Sequence, residues 1–129
     1  MTPDLTYLVL AAILTFVQVV IAVLGCTMQV GLPKLAANRE DAPAQFEGWV
    51  GRAVRAHRNM LENLVLFAIL VLVAHVAGRA NEMTALGAML FFYGRLAHAI
   101  IYIAGIPWLR TGAWAVSVVG LLLITLQLF

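Results

Sequence analysis

Charge is scarce in this chain. Only 11% of its 129 residues are Asp, Glu, Lys or Arg, 64% are hydrophobic, and the mean hydropathy is +0.98. A soluble domain carries about 25% charged residues, so this composition excludes a water-clothed globule and leaves an integral membrane fold. Cysteine is nearly absent too. The lone Cys26, inside an apolar run, excludes an intrachain disulfide and any Cys-based metal spacing, and reads as a small packing residue. No stretch interleaves basic residues with aromatics, which excludes an ordinary nucleic-acid surface. The net charge of +2 and the pI near 9.1 therefore bear on membrane topology and anionic ligands. No metal site is expected.

What is present is apolar length in four pieces. The first, about 5–30, is too long for the apolar core of a cleavable signal and lacks a small-residue cleavage pattern, so it is expected to remain as a transmembrane helix. Gln18 falls mid-span, where an amide seeks a partner on another helix. Gly31, Pro33, Asn38, Arg39, Glu40, Asp41 and Pro43 then break the helix into a loop reaching about Gly48. A second span covers about 50–77, a short turn follows at 78–82, and a third span covers about 83–104. A second turn, 105–109 with Pro107, leads past Arg110 into a fourth, uncharged span at about 111–127. The expected fold is all-α, a single-domain four-helix integral membrane bundle over residues 1–129.

The two middle spans run short of apolar residues. Residues 64–77 cover about 21 Å at 1.5 Å per residue, against roughly 30 Å of hydrocarbon. If this helix crosses a bilayer, Arg58, Asn59 and Glu62 must lie below the headgroups, where charge is expensive and therefore functional or paired. The third span likewise meets Arg95 after about 18 Å. Taking 100° per residue from Arg55, Arg52 lies near about +60°, Asn59 near about +40°, Glu62 near about −20° and Arg58 near about −60°, which is one face. His57 and His75 lie about 200° round and are expected outside any site there. On the third helix Arg95, His98 and Tyr102 stand at i, i+3 and i+7, again one face, with Gly87 and Gly94 beside it. Basic residues concentrate in the first and third connections, so the positive-inside rule puts those loops in the cytoplasm and both termini outside. Glu62 and His98 then lie about equally far from the 78–82 turn, and the two faces meet in the cytoplasmic half, with Arg110 just beyond.

Two chemistries fit such a cluster. In a structural one, Glu62 neutralises Arg95, Asn59 bonds a helix backbone, and the remaining arginines reach the headgroups. In the other, Arg55, Arg58 and Arg95 exceed the single carboxylate Glu62 and leave a place for an anionic ligand. Guanidinium forks suit carboxylates, and a nearby positive charge turns a thiol into a nucleophilic thiolate.

The second helix opens with RAVRAHRNMLEN and the third carries RLAHAIIY. Arg55, Ala56, His57, Arg58 and Asn59 with Glu62, then Arg95, His98, Tyr102 and Arg110, resemble in order and spacing the MAPEG family, the membrane-associated proteins in eicosanoid and glutathione metabolism. The resemblance implies a homotrimer of four-helix subunits with glutathione as co-substrate, held between neighbouring subunits on the cytoplasmic side. By similarity Arg55, Arg58, Asn59, Glu62, His98 and Tyr102 are glutathione-contacting positions, Arg110 holds the thiolate, and Arg95 supports the site from within the bundle. A lipophilic second substrate would arrive from the membrane. The sequence departs from the family pattern where an arginine is expected near the end of the first helix, having Gln29 and then Gly31. It departs again at Trp114, where a tyrosine is expected, and in a third connection one residue shorter than in the prostaglandin synthase branch. These departures fit a divergent, bacterial-type member in an inner membrane. Three functions are open at this point: a glutathione-dependent transferase or peroxidase, a non-catalytic lipid-binding relative, and an accessory subunit of a larger membrane complex.

Overall fold

The computed structural model describes residues 1–36 and 46–129. These residues form helices and turns, with no strand among them: α1 (Pro3–Val30), α2 (Leu32–Ala36), α3 (Gly48–Val76), α4 (Glu82–Ala104) and α5 (Pro107–Leu126). α1, α3, α4 and α5 are long and apolar enough to cross a membrane. Their outer faces expose Phe16, Leu24, Ile69, Leu72, Ile100 and Leu122, a surface suited to lipid tails.

Two boundaries differ from expectation, both at proline. The segment after Gly31 is not loop from its start: Leu32–Ala36 make a short helix, because Pro33 falls in its first turn, where a missing N–H costs nothing. Asn38, Arg39, Glu40, Asp41 and Pro43 lie outside the described residues. The last span begins at Pro107, four residues before the expected Thr111, for the same reason. Arg110 thus sits inside the first turn of α5, its N–H donating to the Ile106 carbonyl at 3.1 Å. That fixes its direction, which a flexible connection would not.

The core is apolar where the four long helices meet. Ala11, Met60, Phe67, Val71, Ala88, Phe91, Leu121 and Ile124 form one buried cluster, and the Phe67 and Phe91 rings stack at 4.0 Å between centroids. α4 and α5 pack backbone to backbone. A Cβ on Gly87 would sit 2.6 Å from the Gly120 carbonyl oxygen, and one on Gly94 would sit 2.9 Å from the Ser117 nitrogen. Small residues are what permit this approach in the absence of a hydrophobic driving force between helices.

Polar side chains tie the two ends. At the end carrying the 77–81 turn, Asn81 caps α4, accepting from the N–H groups of Met83 (2.8 Å) and Thr84 (3.0 Å) and donating to Gln127 Oε1 at 2.9 Å. The Thr84 hydroxyl lies 3.3 Å from Asp4 Oδ2, bringing α1 into the same clasp. At the opposite, basic end, Gln29 donates to the Glu47 carbonyl (2.9 Å) and Arg52 Nε donates to the Ile103 carbonyl (2.9 Å). Arg52 therefore satisfies one of the terminal carbonyls of α4, where a cation also complements the helix dipole.

Candidate functional site

Packing divides the polar face of α3. Its buried stripe, Ala53, Ala56, Met60, Phe67, Val71 and Ala74, is centred about 130° from Arg55 at 100° per residue. Asn59 and Arg52 lie on the edge nearest that stripe and are half-buried, while Arg55, Arg58 and Glu62 turn away from the chain's own core and are exposed. The rotation of α3 against its packed neighbours therefore decides which members of the face can meet α4.

A cavity of about 220 Å³ opens at the basic end, lined by Asn59 from α3, His98 and Tyr102 from α4, and Arg110, Thr111 and Trp114 from α5. Arg110 lies over the Tyr102 ring, its Cζ 4.4 Å from the centroid, a cation–π contact that holds the guanidinium at the cavity. The His98 ring meets Tyr102 edge-on, with centroids 5.4 Å apart. His98 is buried among the packed helices, whereas Trp114 is 41% exposed and so sits at the mouth. Thr111, whose hydroxyl donates to the Pro107 carbonyl at 3.2 Å, is the lining residue that sequence reasoning missed. Its signal was only its place directly after Arg110, which gained meaning once α5 was found to start at Pro107.

Behind the cavity stands Arg95, 1% exposed, whose Nη2 donates to Asn59 Oδ1 at 2.7 Å. Asn63 Nδ2 donates to the Asn59 carbonyl at 2.8 Å and approaches the same Oδ1 at 3.4 Å. A guanidinium only donates, so the Asn59 oxygen is the atom it holds and the Asn59 amide NH2 is left to face other partners. Glu62 does not neutralise Arg95 within one chain. Among the described residues no carboxylate forms an ion pair with Arg95; the partner found is neutral.

Among the described residues the cavity is consequently rich in donors, namely the Arg110 guanidinium, the Asn59 amide, the Trp114 indole N–H and the Tyr102 hydroxyl, with no carboxylate in the lining; the Thr111 hydroxyl spends its hydrogen on Pro107 and offers only lone pairs. Such a wall favours an anion. Of the residues expected at the site, Asn59, His98, Tyr102 and Arg110 come together, Arg95 supports them through Asn59, and Arg55, Arg58 and Glu62 stand outside on the exposed face of α3. His57 and His75 are not part of the cavity lining, as the wheel implies.

The chain is similar to known proteins over most of its length. The model of the MAPEG family matches residues 5–129. Prostaglandin E synthase of Bos taurus is 33% identical over 105 residues, which cover 75% of this chain and 67% of that one.

Proposed function

The chain belongs to the MAPEG family, and on that premise we propose that it is a membrane-bound, glutathione-dependent transferase or peroxidase acting on lipophilic electrophiles or hydroperoxides. The observation that carries this reading is the donor-rich cavity of Asn59, His98, Tyr102, Arg110, Thr111 and Trp114 at the basic end of an apolar bundle. Glutathione supplies the nucleophilic sulfur, and the protein's part is to keep it ionised and aimed. Arg110 is the residue we assign to the thiolate, since a fixed guanidinium favours the charged form of a neighbouring thiol. Asn59, Tyr102 and His98 orient the peptide by hydrogen bonds. In transfer, a sulfur–carbon bond forms while the leaving group departs with its electron pair. In peroxide reduction, one hydroperoxide and two thiols give an alcohol, water and a disulfide.

The homotrimer is the arrangement that the family resemblance implies, and size and exposure support it. A cavity of about 220 Å³ is below the roughly 300 Å³ at which pockets for drug-sized ligands begin, so one chain seats only part of a tripeptide. Arg55, Arg58 and Glu62, exposed on the adjacent face of α3, then meet the rest of it when further copies pack there as a homotrimer. Glu62 would receive the ligand's ammonium group, and the arginines its carboxylates. Trp114 at the mouth offers an apolar surface to a substrate arriving through the bilayer. The basic end faces the cytoplasm, in a bacterial inner membrane with both termini periplasmic.

Titration calorimetry with glutathione in detergent tests this, with the wild type set against Arg55→Ala and Glu62→Ala. Saturable binding weakened in both variants, together with conjugation of 1-chloro-2,4-dinitrobenzene or reduction of cumene hydroperoxide that is lost in Arg110→Ala, is the expected result. Co-purified lipid with no thiol binding would instead identify a non-catalytic lipid carrier and end the proposal.

A further inference from the structure

Three of the six residues lining the cavity carry rings, namely His98, Tyr102 and Trp114. No leucine, isoleucine or valine lies in that lining, although such side chains cover the outer faces of the same helices. The apolar surface bounding the cavity is therefore chiefly aromatic, with rings that are flat and electron-rich on their faces.

The rings are not equally engaged. Tyr102 carries the Arg110 guanidinium, its Cζ 4.4 Å from the ring centroid, and meets the His98 ring edge-on. His98 is 2% exposed and packed among the helices. Trp114 is exposed at the mouth, and among the described residues no ring or cation is paired with its indole. It stands one turn after Arg110 on the same face of α5, and its carbonyl accepts a hydrogen bond from the Ser117 hydroxyl at 2.6 Å. An electrophile that reaches a sulfur at Arg110 thus comes beside the indole.

We propose that Trp114 is the specificity-determining residue of this cavity, selecting as second substrate a planar, electron-poor ring that bears a nitro or carbonyl oxygen, in preference to an alkyl electrophile. This rests on the glutathione reading and adds the shape and electronics of the reacting partner. An electron-poor ring stacks on the negative face of an indole, a contact that a saturated chain cannot reproduce. The indole N–H only donates, so it suits the acceptor oxygen on which negative charge gathers as sulfur adds to the ring. For an aryl halide, the thiol gives its proton to solvent, a sulfur–carbon bond forms at the ring carbon, and the halide leaves with the electron pair of its bond. A tyrosine at this place would offer a smaller ring and a hydroxyl that also accepts.

The test uses the purified full chain in detergent and calorimetry with glutathione, S-(dinitrophenyl)glutathione and S-hexylglutathione. The wild type should bind the dinitrophenyl thioether more tightly than the hexyl one. In Trp114→Leu the dinitrophenyl thioether should bind about tenfold more weakly, the scale of one aromatic pair, while glutathione and the hexyl thioether change by no more than about twofold. Trp114→Phe keeps a ring and should retain most of the preference. Trp108→Leu, which removes an exposed tryptophan of the same helix outside the cavity lining, should leave it unchanged and so excludes a general effect of interfacial tryptophans. The ratio of kcat/KM for a nitroaryl halide to that for an alkyl halide should fall in parallel in Trp114→Leu. Equal weakening of both thioethers in Trp114→Leu, or the same loss in Trp108→Leu, would overturn the proposal while glutathione binding still stands. Failure of glutathione itself to bind the wild type would overturn both readings.

Discussion

Asn59 takes part in both layers of the basic end, held by Arg95 on one side and facing the cavity on the other. Because Arg95 fixes which end of its amide is engaged, Asn59→Asp should keep the Arg95 contact while replacing a cavity donor by a negative charge. We expect glutathione affinity to fall about tenfold or more, the scale of one hydrogen bond to a charged group, with thermal stability maintained or raised. Calorimetry and unfolding on the same preparation check both halves. Arg110→Ala should lower kcat/KM by about a hundredfold, comparable to loss of one preorganised donor, and Arg110→Lys should recover only part because an ammonium neither forks nor stacks on Tyr102 as a guanidinium does. Steady-state conjugation rates decide this. These residues were legible from sequence because they stand in the order and spacing of the MAPEG motif, and because polar groups bordering apolar helices are conspicuous. Thr111 was not, since a threonine beside an arginine stands out only once the start of α5 is known.

Proline and glycine set the elements. Pro107 starts α5 early enough to hold Arg110 in a helical turn, and Gly105, at φ 83°, makes the left-handed turn that closes α4. Arg52 locks that turn from α3 by its bond to Ile103. Arg52→Ala should cost about 1–2 kcal/mol, from a hydrogen bond made by a charged group and from the helix-dipole interaction. It should also lower kcat by loosening the register of Arg110. Unfolding and turnover measured together, with Arg52→Lys as a partial rescue, separate this from simple loss of surface charge. At the other end, Asn81→Ala removes the α4 cap and its link to Gln127, for about 1 kcal/mol or slightly more. The α4–α5 seam is less forgiving. Gly120→Val would drive a branched side chain onto the Gly87 backbone, and loss of the folded protein from detergent extracts is the expected outcome.

For the whole molecule, the row Arg55, Arg58 and Glu62 stands exposed on the single chain. If further copies complete the site, native mass spectrometry in detergent should give a trimer. Co-expression of Arg110→Ala with Glu62→Ala chains should then restore part of the activity that each lacks alone. Restoration requires that Arg110 and Glu62 of one site come from different chains; absence of any recovery in confirmed mixed assemblies would place them on the same one. The α3 wheel showed that these residues share a face, but the division of that face between the chain's own core and its outside depends on where α1, α4 and α5 pack.

Composition and periodicity by themselves determined that this is a membrane bundle of four long helices, and that its middle helices draw charge into the apolar layer, because oily length and buried charge are properties of a one-dimensional string. The partner of Arg95, the early start of α5, the backbone contact of Gly87 with Gly120 and the membership of the cavity were decided only by the tertiary structure. Each depends on the rotation and depth of one helix against another, and those are fixed by packing small side chains together rather than by any spacing within a helix.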